Sequence, residues 1–442
     1  MYKLIVSALV LSGCAAELHT VRHIPRLMET FEVDGLAVAA VSGDRVLISR
    51  GFGVTVNGTE YTATTPCGLF SATKVLASLT YARLAQEGRI DLDAPLRVYL
   101  PDAPDAWAEI PFYRLLNHTS GISMVVNTPE FGALAANPQA TNEDLYRLVR
   151  DAPLDYAPGA YSRYRQSGYA IGELILSGTL GVPFDVLVER YVTKPAGMRH
   201  TAHPATTDTT QAPLILSAGG YETTAEDMAR LFSGMYHGTV IDAGHWKDVL
   251  LTNTYLFGDY SLGSIREIRG GVLTLGHRGG GARANVRYAP DHHVGVMVCT
   301  DDTDNNELAI TLARMLIDEI SSGQAPRMPL LVALSGYRNG EDVVSAYREA
   351  EKDDRYDLSE SESLLNDIGY GFLSREQTDD AVTVFSLNTE LFPNSANTHD
   401  SLGEALLARG DRSAALAEYK KAIALDPNSA NARAMVEKLQ AL

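Results

Sequence analysis

Between residues 365 and 427 the chain echoes itself at an interval of 34 residues, and no other feature constrains its fold as much. Leu365, Ile368, Gly369, Phe372, Ala381, Phe385 and Pro393 recur as His399, Leu402, Gly403, Leu406, Ala415, Tyr419 and Pro427. Apolar positions three and four apart predict helices, glycine and alanine fall where paired helices approach, and a proline closes each unit. A single helix pair of this kind cannot bury its apolar face alone, so the units must stack. Val343, Tyr347 and Ala350 share one helical face and predict an imperfect earlier unit that caps the stack. The residues before Gly323 lack the period, so the chain joins two different architectures.

The spacing resembles that of the tetratricopeptide repeat. This resemblance implies an all-α repeat region over 341–442, behind a linker at 326–340, with a concave surface suited to a protein partner.

The 442 residues include 55 acidic and 37 basic ones, for a net charge of −18 with no block of like charge. Such a field repels phosphates and anionic lipid, which argues against nucleic acid and against adsorption to a membrane. With 45% hydrophobic residues the chain can bury a core, and disorder is disfavoured. The three cysteines, Cys14, Cys67 and Cys299, are too few for a disulfide framework. Residues 1–13 carry Lys3 and then an apolar run, Leu4 to Leu11, that is too short to span a bilayer and reads as a secretory signal. Leu11-Ser12-Gly13-Cys14 resembles the lipobox of bacterial lipoproteins, which implies lipidation of Cys14, export, and a periplasmic or cell-envelope location with membrane attachment only through that lipid. The alternatives are an ordinary signal cut after Ala15-Ala16 and a buried N-terminal helix. Cys67 and Cys299 are either buried small hydrophobes or a single pair, and burial is the plainer reading.

Alternation from Leu36 to Val41 and from Val46 to Ser49, around Ser42-Gly43-Asp44, predicts a hairpin. A helix is expected from about Ala72 to Glu87, closed by Gly88. Residues 100 to 220 alternate Pro, Gly, Asn and Thr with short helical patterns. Thr224 to Asp227 reads as a capping box, Ala284 to Tyr288 and His293 to Thr300 as strands, and Glu307 to Ile320 as a helix. Strands at both ends of a helical middle predict an α+β fold: an antiparallel sheet flanked by helices, plus an all-helical subdomain.

Ser71-Ala72-Thr73-Lys74 stands where that first helix begins. Spacing i, i+3 puts hydroxyl and amine on one face, free helix N–H groups can hold an oxyanion, and a desolvated lysine can act as base to a serine nucleophile. Downstream come Leu84 to Pro95, Tyr99-Leu100-Pro101, Leu115 to Ile122, Pro158-Gly159 with Tyr164-Arg165-Gln166-Ser167-Gly168-Tyr169, Ala218 to Tyr221 with Thr223 to Asp227, and Gly276-His277-Arg278-Gly279-Gly280. In this order the stretches resemble the serine β-lactamase-fold hydrolases, above all the class C β-lactamase, DD-peptidase and D-aminopeptidase group, over about residues 20 to 325.

The resemblance implies that Ser71 is acylated, Lys74 takes its proton and Tyr164 relays a proton to the leaving atom. His277 and Gly279 then stand in the third motif, and the N–H groups of Ser71 and Gly280 form the oxyanion hole. Two departures bear on substrate. Gln166 replaces the usual asparagine of the second motif, and His277 replaces a lysine that in class C enzymes faces the antibiotic carboxylate, so β-lactam hydrolysis is disfavoured while peptidase, esterase or amidase chemistry stands. Arg278 is expected on the opposite face of its strand. His118 reads as a loop-bracing hydrogen-bond partner.

Asp301, Asp302, Asp304 and Asn305 lack the glycine and glutamate of a calcium loop, and His277, His292 and His293 lack a zinc spacing, so no metal and no cofactor is expected. The expected function is an exported serine hydrolase acting on a small-molecule or peptide substrate, with peptidoglycan-derived peptides among the candidates. The alternatives are a catalytically weak binding module of the same fold, whose repeats recruit a partner, and an acyltransferase.

Overall fold

The structure is a computed structural model that describes residues 18–440 except 127, 207, 209, 211, 281–282 and 301–306. The signal, Cys14 and the Asp301–Asn305 cluster therefore lie outside the described residues. The chain falls into two compact units that meet between Ala325 and Pro326.

The first unit is built on a seven-stranded antiparallel sheet. Its strands are β1 (Gly35–Ser42), β2 (Arg45–Gly53), β5 (Tyr260–Ser261), β6 (Ser264–Arg269), β7 (Val272–Gly279), β8 (Ala284–Ala289) and β9 (Val294–Cys299), in the spatial order β2-β1-β9-β8-β7-β6-β5. The first strands thus pair with the last, Ala37 opposite Cys299 and Ser42 opposite Val294. Every residue of β8 and β9 is buried, because helices cover both sheet faces. Successive side chains show the two faces. Tyr288 stacks on Phe232 of the helix Ala225–Tyr236, whereas its neighbour Arg287 joins Glu267 and Arg314 beneath the helix Leu308–Ser322.

That last helix also anchors the first one, His19–Thr30. The Glu319 carboxylate accepts the N–H groups of His19 at 2.6 Å and Thr20 at 2.9 Å, filling the role of a cap that Leu18 has no side-chain oxygen to supply.

Between β2 and β5 lies the helical part, with a short ladder of β3 (Cys67–Gly68) and β4 (Glu222–Thr223). Its centre is the helix Lys74–Gln86, buried from Lys74 through Ala82 on all sides, as a core helix should be. The expected box at Thr224 is half made: its side chain accepts the Asp227 N–H, and the helix runs on to Tyr236. Cys67 and Cys299 form a disulfide that ties β3 to β9, the pairing left open by the sequence.

The second unit is all-helical. The helices Ser361–Ser374, Thr378–Leu391, Ala396–Arg409 and Arg412–Leu425 pack in succession, with Ala430–Gln440 after them. Gly369 makes room for the Phe385 ring, which a Cβ there would approach to 2.5 Å, and a Cβ on Gly403 would likewise approach the Tyr419 ring to 3.1 Å. Glycine on one helix and an aromatic on the next therefore explain two of the echoed positions. Val343, Tyr347 and Ala350, on the helix Gly340–Ala350, enter the same core. The stretch read as a linker, 326–340, is not bare chain: β10 (Met328–Pro329) pairs with β11 (Tyr356–Asp357), and Leu330 and Leu334 are buried in this unit's core.

Candidate active site

Ser71 is half-buried in a 3-10 turn, Phe70–Thr73, that leads directly into the helix Lys74–Gln86. The helix thus begins two residues later than its sequence suggests. As the second residue of the turn, Ser71 offers an N–H with no intrahelical acceptor. Phe70 holds φ +46°, a left-handed conformation that costs a non-glycine residue on the order of 1–3 kcal/mol. Neighbours impose it: the Leu69 N–H donates to the Tyr221 carbonyl at 2.8 Å, and the Arg283 guanidinium lies 3.9 Å over the Phe70 ring.

The two glycines at the end of β7 allow this approach. A Cβ on Gly279 would collide with the Leu69 carbonyl and stand 2.9 Å from the Ala72 nitrogen, and one on Gly280, at φ +58°, would stand 2.6 Å from the Phe70 ring. We expect Gly279→Ala to displace the turn and lower turnover at least tenfold, on the reasoning that ångström-scale misplacement costs about that much or more. A steady-state assay checks this, and unchanged turnover would mean that the β7 contact does not position Ser71.

Lys74 is fully buried. Its Nζ donates to the Ala218 carbonyl at 2.5 Å and to Gln166 Oε1 at 2.9 Å, and lies 4.8 Å and 4.9 Å over the rings of Tyr164 and Tyr169. Burial holds its pKa well below that of an ordinary lysine. A neutral amine has two hydrogens, both used here, and one lone pair, which is then available to take a proton.

The Tyr164 hydroxyl is buried beside the side chains of Ser71 and Gln166 but makes no hydrogen bond of acceptable geometry. Burial raises its pKa despite those neighbours, so it is a phenol that can donate rather than a phenolate. The His277 ring stands 5.8 Å from that of Tyr164. Its Nδ1–H donates to the Arg278 carbonyl at 2.5 Å, which leaves Nε2 as a buried acceptor without a partner. Burial first, then Lys74, push the His277 pKa well below the usual value, so the ring is neutral.

Ser71, Lys74, Tyr164, Gln166, His277, Gly279 and Gly280 are thus brought to one place. Arg278 is not: it is exposed, and its charge acts on Glu267 and Arg287 across the sheet. His118 braces a loop, as its position suggests; its Nδ1 accepts the Arg165 N–H at 3.2 Å, its ring lies 4.5 Å from that of Tyr164, and burial pushes its pKa down to about 3. Arg165 is paired with Asp155. Sequence reasoning missed Ala218, whose contribution is a backbone carbonyl, and Glu173, a lone acid in the apolar run Gly168 to Leu176. Among the described residues no cluster of three His, Cys, Asp or Glu could hold a metal ion.

The family model described as Beta-lactamase matches residues 21–318, more than half of the chain. The chain belongs to the beta-lactamase family. Among relatives, it is 24% identical over 233 residues to the D-alanyl-D-alanine-carboxypeptidase/endopeptidase AmpH of Escherichia coli (strain K12), covering 50% of this chain and 58% of that protein. The chain spans about half the length of the curated relatives it matches. Solved structures share the fold of this beta-lactamase-family unit. A D-stereospecific amidohydrolase from Streptomyces superposes with TM-score 0.53 at 21% identity over 68% of this chain and 99% of that one. A D-amino acid amidase from Ochrobactrum anthropi SV3 gives 0.55 at 16% identity over 69% and 100%.

Proposed function

We propose that the chain is a serine hydrolase that cleaves an amide or ester through an acyl-enzyme on Ser71. The observation that carries this reading is the buried Lys74 amine, one helical turn after Ser71, with both hydrogens engaged by Ala218 and Gln166. Lys74 Nζ takes the Ser71 hydroxyl proton as Oγ bonds to the substrate carbonyl carbon. The N–H groups of Ser71 and Gly280 receive the oxyanion. The bond from carbon to the leaving nitrogen or oxygen then breaks, and the leaving atom takes a proton from the Tyr164 hydroxyl, which Lys74 replenishes. Water attacks the ester by the same steps reversed and frees Ser71.

The substrate class follows from charge. Neither a neutral His277 nor an Arg278 turned across the sheet supplies a cation within the third motif, and the neighbouring Arg283 is engaged by the Gly280 carbonyl at 2.9 Å, so a β-lactam that depends on a lysine facing its carboxylate there is disfavoured. Amides and esters of D-amino acids or short peptides that need no such carboxylate contact fit better, and a D-Ala-D-Ala peptide, whose terminal carboxylate lies where that of a β-lactam does, is the discriminating substrate. Mass spectrometry of the folded protein after a fluorophosphonate or a labelled penicillin tests the reading. The expected result is a single adduct on Ser71; no adduct with either probe would overturn it. A panel of nitrocefin, a D-Ala-D-Ala peptide, a D-amino-acid amide and short esters against Ser71→Ala then assigns the substrate.

Export through residues 1–13 and lipidation at Cys14 belong to the same proposal. The Cys67–Cys299 disulfide supports an oxidising compartment. Paired helices in which Gly369 meets Phe385 and Gly403 meets Tyr419 support tetratricopeptide repeats that recruit a protein partner, tested by capture on residues 326–442 against the full chain.

A further inference from the structure

Resting on that reading of Ser71 and Lys74, we infer that the buried Glu173 and the half-buried Asn142 form a positioning pair, which holds the 215–218 segment in a strained shape so that the Ala218 carbonyl meets Lys74.

Glu173 sits on the helix Ser167–Leu180 and is only 2% exposed. Both carboxylate oxygens are used. Oε1 accepts the Ser217 N–H in a short hydrogen bond, and Oε2 accepts the Asn142 side-chain amide at 2.7 Å. Asn142 begins the helix Asn142–Arg150, and its Oδ1 in turn accepts the Ile215 N–H at 3.2 Å. Two residues from different helices therefore grip Ile215 and Ser217, immediately before Ala218.

The grip has a reason. Ile215 holds φ +54°, in the left-handed region that a β-branched side chain avoids, so the segment would not keep this shape by its own preference. Such outliers persist where the surroundings over-determine them, and here the surroundings are a charged acceptor and its amide partner. The Ser217 hydroxyl adds a longer contact, 3.5 Å, to the carbonyl of Tyr169, the residue whose ring underlies Lys74.

Burying a carboxylate for packing alone is costly. Burial pushes the Glu173 pKa up to about 7 even though the hydrogen bonds from Ser217 and Asn142 to its charged form oppose this. The titratable groups that face it are Tyr81, from the helix Lys74–Gln86, and Tyr221, just beyond Ala218; both phenols are pushed up by burial and by the Glu173 charge. Glu173 does not touch the reacting atoms. Its action on Ser71 runs through Ser217, Ala218 and Lys74.

Two variants of the full chain test this. Glu173→Gln removes the charge and an acceptor but keeps the volume; Asn142→Ala leaves Glu173 in place and releases Ile215, while the loss of its amide pushes the Glu173 pKa higher still. Each should slow fluorophosphonate labelling of Ser71 and kcat for a p-nitrophenyl ester about tenfold or more, with KM changed less than about threefold. Each should also move the acid limb of the rate–pH profile to higher pH, because burial is what holds the Lys74 pKa down and water admitted beside a displaced Ala218 relieves it. Slowing that persists in Asn142→Ala at about pH 9, where its Glu173 is ionised, separates positioning from a charge effect. Folded variants that keep the wild-type labelling rate and acid limb would overturn the pair. So would a loss of melting temperature with the rate per folded enzyme unchanged. If wild-type Ser71 itself takes no label, the hydrolase reading has failed instead.

Discussion

Replacing Lys74 by methionine is expected to slow acylation of Ser71 by about 10²–10⁴-fold, the usual worth of a positioned general base. Methionine fills the volume of the buried side chain without an amine, so the loss should appear in kcat while the fold stays intact. Arginine should not rescue the rate, since a guanidinium does not give up its proton in this range and is too large for the site. The pH dependence has a definite sign. Lys74 works as the neutral amine, and burial holds its pKa well below the ordinary value. The wild-type rate should therefore stand on a plateau at mildly alkaline pH and fall on acidification, as Lys74 and Glu173, whose pKa burial pushes up to about 7, gain their protons. His277 should add no limb near 6.5, because its own pKa is pushed well below that value. Stopped-flow or steady-state ester hydrolysis across pH measures this. A Lys74→Met enzyme with near wild-type kcat, or a rate that climbs only near the pKa of a free lysine, would sink the assignment.

The second large effect concerns the disulfide. Cys67 and Cys299 are separated by 232 residues in sequence, so the bond closes a very long loop in the unfolded chain. Cys67→Ala with Cys299→Ala should cost on the order of 2–5 kcal/mol of stability. The cost should also reach the site, because β3 ends two residues before Phe70 and leads straight into the strained turn that carries Ser71. Thermal melts of wild type with and without reductant, beside the double variant, measure the first effect, and labelling of Ser71 below the transition measures the second. Equal melting points would show that the bond adds nothing to the fold.

What could be read in advance followed from where the physical information lies. The Ser71–Lys74 pair is local, i and i+3 on one turn, whereas Tyr164 and His277 are singled out only through the resemblance of their stretches to the family's second and third motifs. The hairpin of β1 and β2, the strands β8 and β9 and the echoed helices carry their period in the chain itself. Other parts are invisible for definite reasons. Ala218 acts through a carbonyl that every residue possesses. The partner of Cys67 is a question of topology, settled only when β3 and β9 are placed. Residues 326–340 contain Pro326, Pro329, Gly336 and Gly340, which read as connection, yet Leu330 and Leu334 find a core. Glu173 goes unread in the sequence although it is one acid in an otherwise apolar helix, because its meaning appears only with Asn142 and the left-handed Ile215 beside it.

The strand order has a consequence for how the molecule comes into being. Because β1 pairs with β9 and Glu319 completes the helix at His19, the first unit cannot close its sheet until nearly all of its residues have been synthesised. Such non-local closure is intrinsically slow, and until then the β1–β2 hairpin presents an unpaired edge. The helix pairs after residue 360 gain their contacts from near neighbours in sequence and face no such wait. The part of the chain made last is thus suited to fold quickly, while the part made first remains open longest.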